Sequence, residues 1–146
     1  MNRYREMERR QQEEYNSFAG KHCFYAFDQK QFAEGMAKFG LDPENDRDRI
    51  KSIGAGGYVL ADHAADLRAL FNRHHEERQQ AIDADPTGEG FVYEMFSALL
   101  ADYEYSYTGD PEDALSACGL TLEEVMENDK LRRGLQKAAA RYEEGD

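Results

Sequence analysis

The sequence predicts an α+β fold that is mainly helical, with five to six helices packed with a small antiparallel sheet of two or three strands. Three observations carry that prediction. Apolar side chains recur at intervals of three and four over several long stretches bounded by capping residues. One short aromatic run, Cys23-Phe24-Tyr25-Ala26-Phe27, suits a strand. Four small residues, Gly54-Ala55-Gly56-Gly57, separate Ile50-Lys51-Ser52-Ile53 from Tyr58-Val59-Leu60, as a hairpin turn would.

The elements follow in order. Tyr4, Met7, Gln11, Tyr15 and Phe18 give residues 3–18 one apolar face, and Gly20 is placed to end that helix. Asp28 can cap a helix over 29–39 that turns Phe32, Met36 and Phe39 inward and stops at Gly40. Asp42-Pro43-Glu44-Asn45-Asp46 is a turn before the hairpin. Asp62 can cap the longest helix, 63–83, whose stripe is Leu67, Leu70, Phe71, His74 and Ile82. After Asp85-Pro86-Thr87-Gly88 comes a helix over 90–104 carrying Phe91, Met95, Phe96, Leu99, Leu100 and Tyr103. Tyr105-Ser106-Tyr107-Thr108-Gly109 reads as a connector. Asp110-Pro111 opens a short helix to Cys118, Thr121 with Glu124 forms a capping box, and Asp129 begins a last helix with Leu131, Leu135, Ala138, Ala139 and Tyr142 inward.

At 146 residues with 40% apolar side chains, the chain can bury roughly two-thirds of its unfolded surface as one domain, 1–146. No repeat and no linker divides it. No stretch approaches the roughly 18 apolar residues of a membrane span. The start, Met1-Asn2-Arg3-Tyr4-Arg5-Glu6, has no apolar run of the kind an export signal needs. Cys23 and Cys118 lie far apart in apolar surroundings and read as buried thiols, so the expected compartment is the cytoplasm.

Charge is the sharpest bulk property. Residues 1–82 hold 14 acidic and 13 basic side chains, whereas residues 83–146 hold 16 acidic and 5 basic. The second part therefore carries −11 of the net −12. Phosphates would repel such a surface, which argues against direct nucleic acid or an anionic membrane as partner. A basic protein surface or a divalent cation fits it, and so does an acidic face that only keeps the protein soluble.

Two segments could carry chemistry. Asp83-Ala84-Asp85-Pro86-Thr87-Gly88-Glu89-Gly90-Phe91-Val92-Tyr93-Glu94 sets oxygen donors at positions 1, 3, 5 and 12 of a twelve-residue loop with glycine at position 6, as in an EF-hand. Asp83, Asp85 and Thr87 would give side-chain ligands to calcium, Glu89 its carbonyl and Glu94 both carboxylate oxygens. Position 8 departs from the pattern, being Gly90 where an aliphatic is wanted, and no second loop of this kind exists. An acidic helix–helix connection explains the same residues. Asp113 to Val125 has the Ala, Gly and Leu-Thr spacing of a DNA-binding helix–turn–helix, but Glu123, Glu124, Glu127 and Asp129 would face the phosphates, so a packed corner is the better reading. His22, His63, His74 and His75 show no zinc spacing. Gly54 to Gly57 lack the Lys-Ser or Lys-Thr of a phosphate loop. No nucleophile or acid–base motif appears, and neither enzyme activity nor a cofactor is expected.

Phe32-Ala33-Glu34-Gly35-Met36, Gly54-Ala55-Gly56-Gly57-Tyr58, Gly88 to Phe96, Tyr107-Thr108-Gly109-Asp110 and Gly119 to Val125 together give a resemblance that runs over most of the chain. The sequence resembles an uncharacterised family of small acidic proteins from phages and mobile elements of gut bacteria, and is similar in kind to the anti-CRISPR class. That resemblance implies a DNA-mimic inhibitor of a host nucleic-acid-handling defence enzyme, with a CRISPR nuclease or another protein of basic surface as partner. Asp110, Glu112, Asp113, Glu123, Glu124, Glu127 and Asp129 are the partner-binding candidates.

Overall fold

A strand places successive side chains on opposite faces, so Cys23 and Phe24 must enter two different apolar layers. The computed structural model, which describes residues 1–143, shows this. The chain divides into two compact units, one of residues 10–75 and one of residues 1–9 with the chain from Glu76 onward.

In the first unit, β1 (Cys23–Tyr25), β2 (Ile50–Gly54) and β3 (Gly57–Leu60) form one antiparallel sheet in the order β1-β3-β2. Cys23 pairs with Val59 and Tyr58 with Ser52, and the register shifts between Ser52 and Gly54. Ala55 (φ 52°) and Gly56 (φ 79°) make the hairpin turn, both left-handed as a two-residue loop between twisted strands requires. Cys23 and Val59 pack with Leu67, Leu70, Tyr15 and Phe18 on one side. On the other, Phe24, Ala26 and Met36 pack with Phe32, Phe39 and Tyr58. Helix α2 (Gln29–Lys38) approaches β1 this closely because Gly35 has no side chain, since a Cβ there would overlap the Phe24 ring. Asp28 caps α2 as its sequence predicts, accepting from the Gln31 N–H at 2.7 Å.

Helices α1 (Arg3–His22) and α3 (Ala64–Ala84) bring chain into both units. Two boundaries differ from expectation. α1 continues through Gly20 for another turn, and Asp62 lies inside a 3-10 turn, Ala61–His63, instead of capping α3. The strand predicted over 23–27 is paired only to Tyr25.

The second unit is built around α4 (Phe91–Asp102), whose Val92, Met95, Phe96 and Leu100 are fully buried. At roughly 1.5–3 kcal/mol for each fully buried large apolar side chain, this helix is the main source of the unit's hydrophobic stabilisation. Around it stand α6 (Glu112–Ala117), α7 (Leu122–Glu127) and α8 (Asp129–Glu143), which contribute Ala114, Leu115, Val125, Leu131, Leu135 and Ala138. The tyrosine-rich connector is itself a helical turn, α5 (Tyr105–Thr108), entered through Glu104 at φ 55° and left through Gly109 at φ 66°. Among the described residues there are thus eight α-helices, more than the five to six expected, in part because the segment read as a connector folds as α5. No helix of the described residues is long and apolar enough to cross a membrane.

Candidate functional site

The loop between α3 and α4 is organised around one carboxylate. Asp85 is 5% exposed and turns inward. Its Oδ1 accepts from the N–H groups of Thr87 (3.1 Å) and Gly88 (2.9 Å), and its Oδ2 from those of Gly90 (3.1 Å) and Val92 (3.0 Å). Burial alone would push this carboxyl up, but the four amides outweigh it and hold the group below the usual carboxylate range. Val92 sits in the first turn of α4, so Asp85 also serves as that helix's cap from outside it.

Three other side chains of the predicted calcium set, Asp83, Thr87 and Glu94, have partners within the chain. Glu94 is held by the Arg3 guanidinium and by the Arg3 N–H at 3.1 Å. Burial raises the Glu94 carboxyl and these bonds more than reverse it. Asp83 accepts from the Gln79 amide at 3.0 Å, and Thr87 Oγ1 from the Glu89 N–H at 3.1 Å. Basic side chains of α8 close the rim: Lys130 donates to the carbonyls of Ile82 (3.0 Å) and Asp83 (3.3 Å), Arg133 to that of Thr87 (3.0 Å). Gly88, at φ 92°, lies so near the Lys130 carbonyl that no Cβ fits. The loop holds an anion among amides and sets cations on its carbonyls. Among the described residues, no group of three or more His, Cys, Asp or Glu is disposed to hold a metal ion. Sequence reasoning missed Arg3, Lys130 and Arg133, which lie some 45 to 90 positions from their partners and leave no local pattern.

The acidic candidates fall just before and on α6, on α7 and at the start of α8, and all seven are exposed. Three have local duties. Asp110 accepts from the Glu112 N–H at 2.9 Å, opening α6. Glu124 completes the predicted capping box, accepting from Thr121 N–H while Thr121 Oγ1 accepts from Glu124 N–H, both at 3.1 Å. Asp129 pairs with Arg132 at 2.7 Å. Glu112, Asp113, Glu123 and Glu127 make no ion pair among the described residues.

The chain belongs to a family of unknown function, DUF7659, whose model matches residues 3–141. No curated protein and no solved structure matches the chain.

The helix–turn–helix-like stretch of this family member is the corner between α6 and α7, with Gly119 left-handed at φ 77° and Leu115 and Val125 buried beneath it. Exposed apolar groups of the same unit are Leu122 and Met126 of α7, and Tyr103 and Tyr107. Tyr105 instead stacks edge-on against Tyr142 at 5.4 Å. Cys23 and Cys118 are both buried free thiols, each pushed up by burial. His74 sits beside Glu14, its Nε2 3.5 Å from the carboxylate, and His22 stacks on His63 at 3.7 Å.

Proposed function

We propose that this protein is an interaction protein whose acidic unit binds a basic surface on a nucleic-acid-handling enzyme and keeps nucleic acid off it, in the manner of phage anti-CRISPR inhibitors. One observation supports this most directly: the charge of the acidic unit is not neutralised from within. Residues 1–9 with 76–146 hold 20 acidic and 9 basic side chains, a net −11, against 10 and 9 in residues 10–75. Several of those few cations bind carbonyls as well as or instead of carboxylates. Lys130 and Arg133 do so in the loop, Arg5 reaches the Ala98 carbonyl at 3.2 Å, and Arg132 the Met126 carbonyl at 2.9 Å. Glu112, Asp113, Glu123 and Glu127 therefore project a field that a basic partner can answer, which favours fast association that weakens with salt.

The test is a tagged pull-down from bacterial lysate at low salt, eluted by rising salt and read by mass spectrometry. A nucleic-acid enzyme released at moderate salt is the expected result. Against that partner, Glu123→Lys with Glu127→Lys is expected to cost about tenfold or more in affinity, while Glu124→Gln, which keeps the capping box, costs less. Unchanged binding by the double charge reversal would sink the mimicry reading.

A further inference from the structure

An aromatic side chain left in water normally lies singly on a surface and needs no account. Phe27 is different. It is 77% exposed, yet the backbone leading into it is fastened by two hydrogen bonds. Its N–H donates to Gln31 Oε1 at 2.7 Å, and the preceding Ala26 N–H donates to the Gly56 carbonyl at 2.8 Å. Gly56 lies directly against the ring, and a Cβ there would come within 2.5 Å of it. The ring thus touches the hairpin turn, and Phe27 also lines a cleft of about 650 Å³ whose lining residues all fall within 26–58. That volume falls in the range of small-ligand sites, roughly 300–1,000 Å³.

The chemistry of the cleft selects among ligands. Its lining residues include the aromatics Phe27, Phe32 and Tyr58, the acids Asp28 and Glu44, and one cation, Arg47. Phe32 and Tyr58 meet edge to face at 5.3 Å, and Tyr58 is backed by Phe24 at 5.2 Å, so the aromatic corner is rigid. Arg47 already shows what such a corner accepts. Its guanidinium lies over the Phe32 ring at 5.3 Å from the centroid, steadied by Nε donating to the Pro43 carbonyl at 2.9 Å. The negative face of a ring attracts a planar cation, and among the described residues no cation lies over the Phe27 ring. Asp28 gives one oxygen to the Gln31 N–H, and its other oxygen faces no donor among the described residues; no bond to the Glu44 carboxylate is seen there either. Two carboxylates and an open ring against a single tethered arginine leave the cleft one cation short.

We propose that this cleft binds a guanidinium group, stacked on Phe27 and paired with Asp28 and Glu44, supplied by free arginine or by an arginine side chain of a polypeptide. A guanidinium suits it better than an ammonium because it can stack flat on the ring while its edge donates in a fork to a carboxylate. This site lies in the other unit from the acidic helices and does not depend on the inhibitor reading.

The experiment titrates the full chain with free L-arginine, with N-acetyl-L-arginine methylamide and with the corresponding capped lysine, following amide shifts at residues 27–33 and 43–47. Dissociation constants near about 1 mM are expected for a contact of this size. Binding of the capped arginine assigns a polypeptide side chain; binding of free arginine alone assigns the amino acid. Phe27→Leu, Asp28→Asn (which keeps the helix cap) and Glu44→Gln are each expected to weaken binding about two- to fivefold. Arg47→Ala, by removing the competing cation, is expected to preserve or strengthen it. No shift at residues 27–33 with either arginine probe overturns the proposal, as does equal binding of lysine or loss of binding in Arg47→Ala.

Discussion

Replacing Asp85 by Asn tests whether the loop before α4 is organised by a buried anion. The side chain keeps its shape, but one acceptor oxygen becomes an NH2 group. Each oxygen of Asp85 serves one buried amide and one half-exposed amide, Gly88 with Thr87 and Val92 with Gly90. Whichever way the new amide turns, two bonds are lost and one buried N–H faces another donor. A buried donor left unmade costs about 1–3 kcal/mol, and bonds to a charged acceptor contribute about 1.5–3 kcal/mol each, so a loss of about 3 kcal/mol is expected. That is a large part of the roughly 5–15 kcal/mol that holds a domain folded. In urea, with a slope of about 2 kcal/mol per molar, the midpoint falls by about 1.5 M. The assay is helical circular dichroism with tyrosine fluorescence as a second probe, since the chain has no Trp. Acid supplies the sign check. The Asp85 carboxyl is held below its ordinary 3.8, so its contribution is present above that value and is lost as pH falls through the lower folded value. The gap between wild type and Asp85→Asn must therefore narrow below about pH 4. A midpoint change under about 0.3 M, or a gap independent of pH, would refute the reasoning.

Gly88→Ala combines a left-handed backbone with a Cβ directed at the Lys130 carbonyl, and is expected to cost about 2 kcal/mol or more in the same urea assay. Millimolar calcium is expected to leave the melting midpoint where it is, because Asp85 and Glu94 already have their partners; a rise of several degrees would show that the loop re-forms around the ion.

The parts of the fold written in local chemistry were legible in the sequence. The hairpin at Gly54 to Gly57, the caps at Asp28 and Thr121, and the apolar stripe of α4 depend on neighbours within a few positions, and the structure has each of them. Boundaries set by tertiary contacts were not. Gly20 stops no helix, because Ala19 just before it and Phe18 are held against the sheet and the backbone carries on to His22. The loop 83–94 shows the limit most clearly. Its carboxylates have the spacing of cation ligands, yet whether a carboxylate faces an ion or a ring of amides depends on where Arg3, Lys130 and Arg133 arrive. Spacing within the loop carries no information about those distant cations. The acidic candidates were found by composition alone, and the structure adds which of them have local partners.

That sorting gives the charge argument a sharper form. Acids in the first turn of a helix are favoured by its dipole, by about 0.3–1 kcal/mol when exposed, so Glu112, Asp113, Glu123, Glu124 and Asp129 have a structural reason to be acidic. Glu127 is placed between two helix ends. It closes α7 and immediately precedes Asn128, whose side chain accepts from the Leu131 N–H at the start of α8, and it has no ion pair among the described residues. The unfavourable end of one helix and the favourable start of the next oppose each other there. Glu127→Gln is accordingly expected to change stability by no more than about 0.3 kcal/mol while weakening capture of a basic partner. A larger fall in stability would mean that Glu127 has a structural role that the described contacts do not contain. Unchanged partner capture would take Glu127 out of the binding surface and leave the charge of α7 to be explained by its helix start.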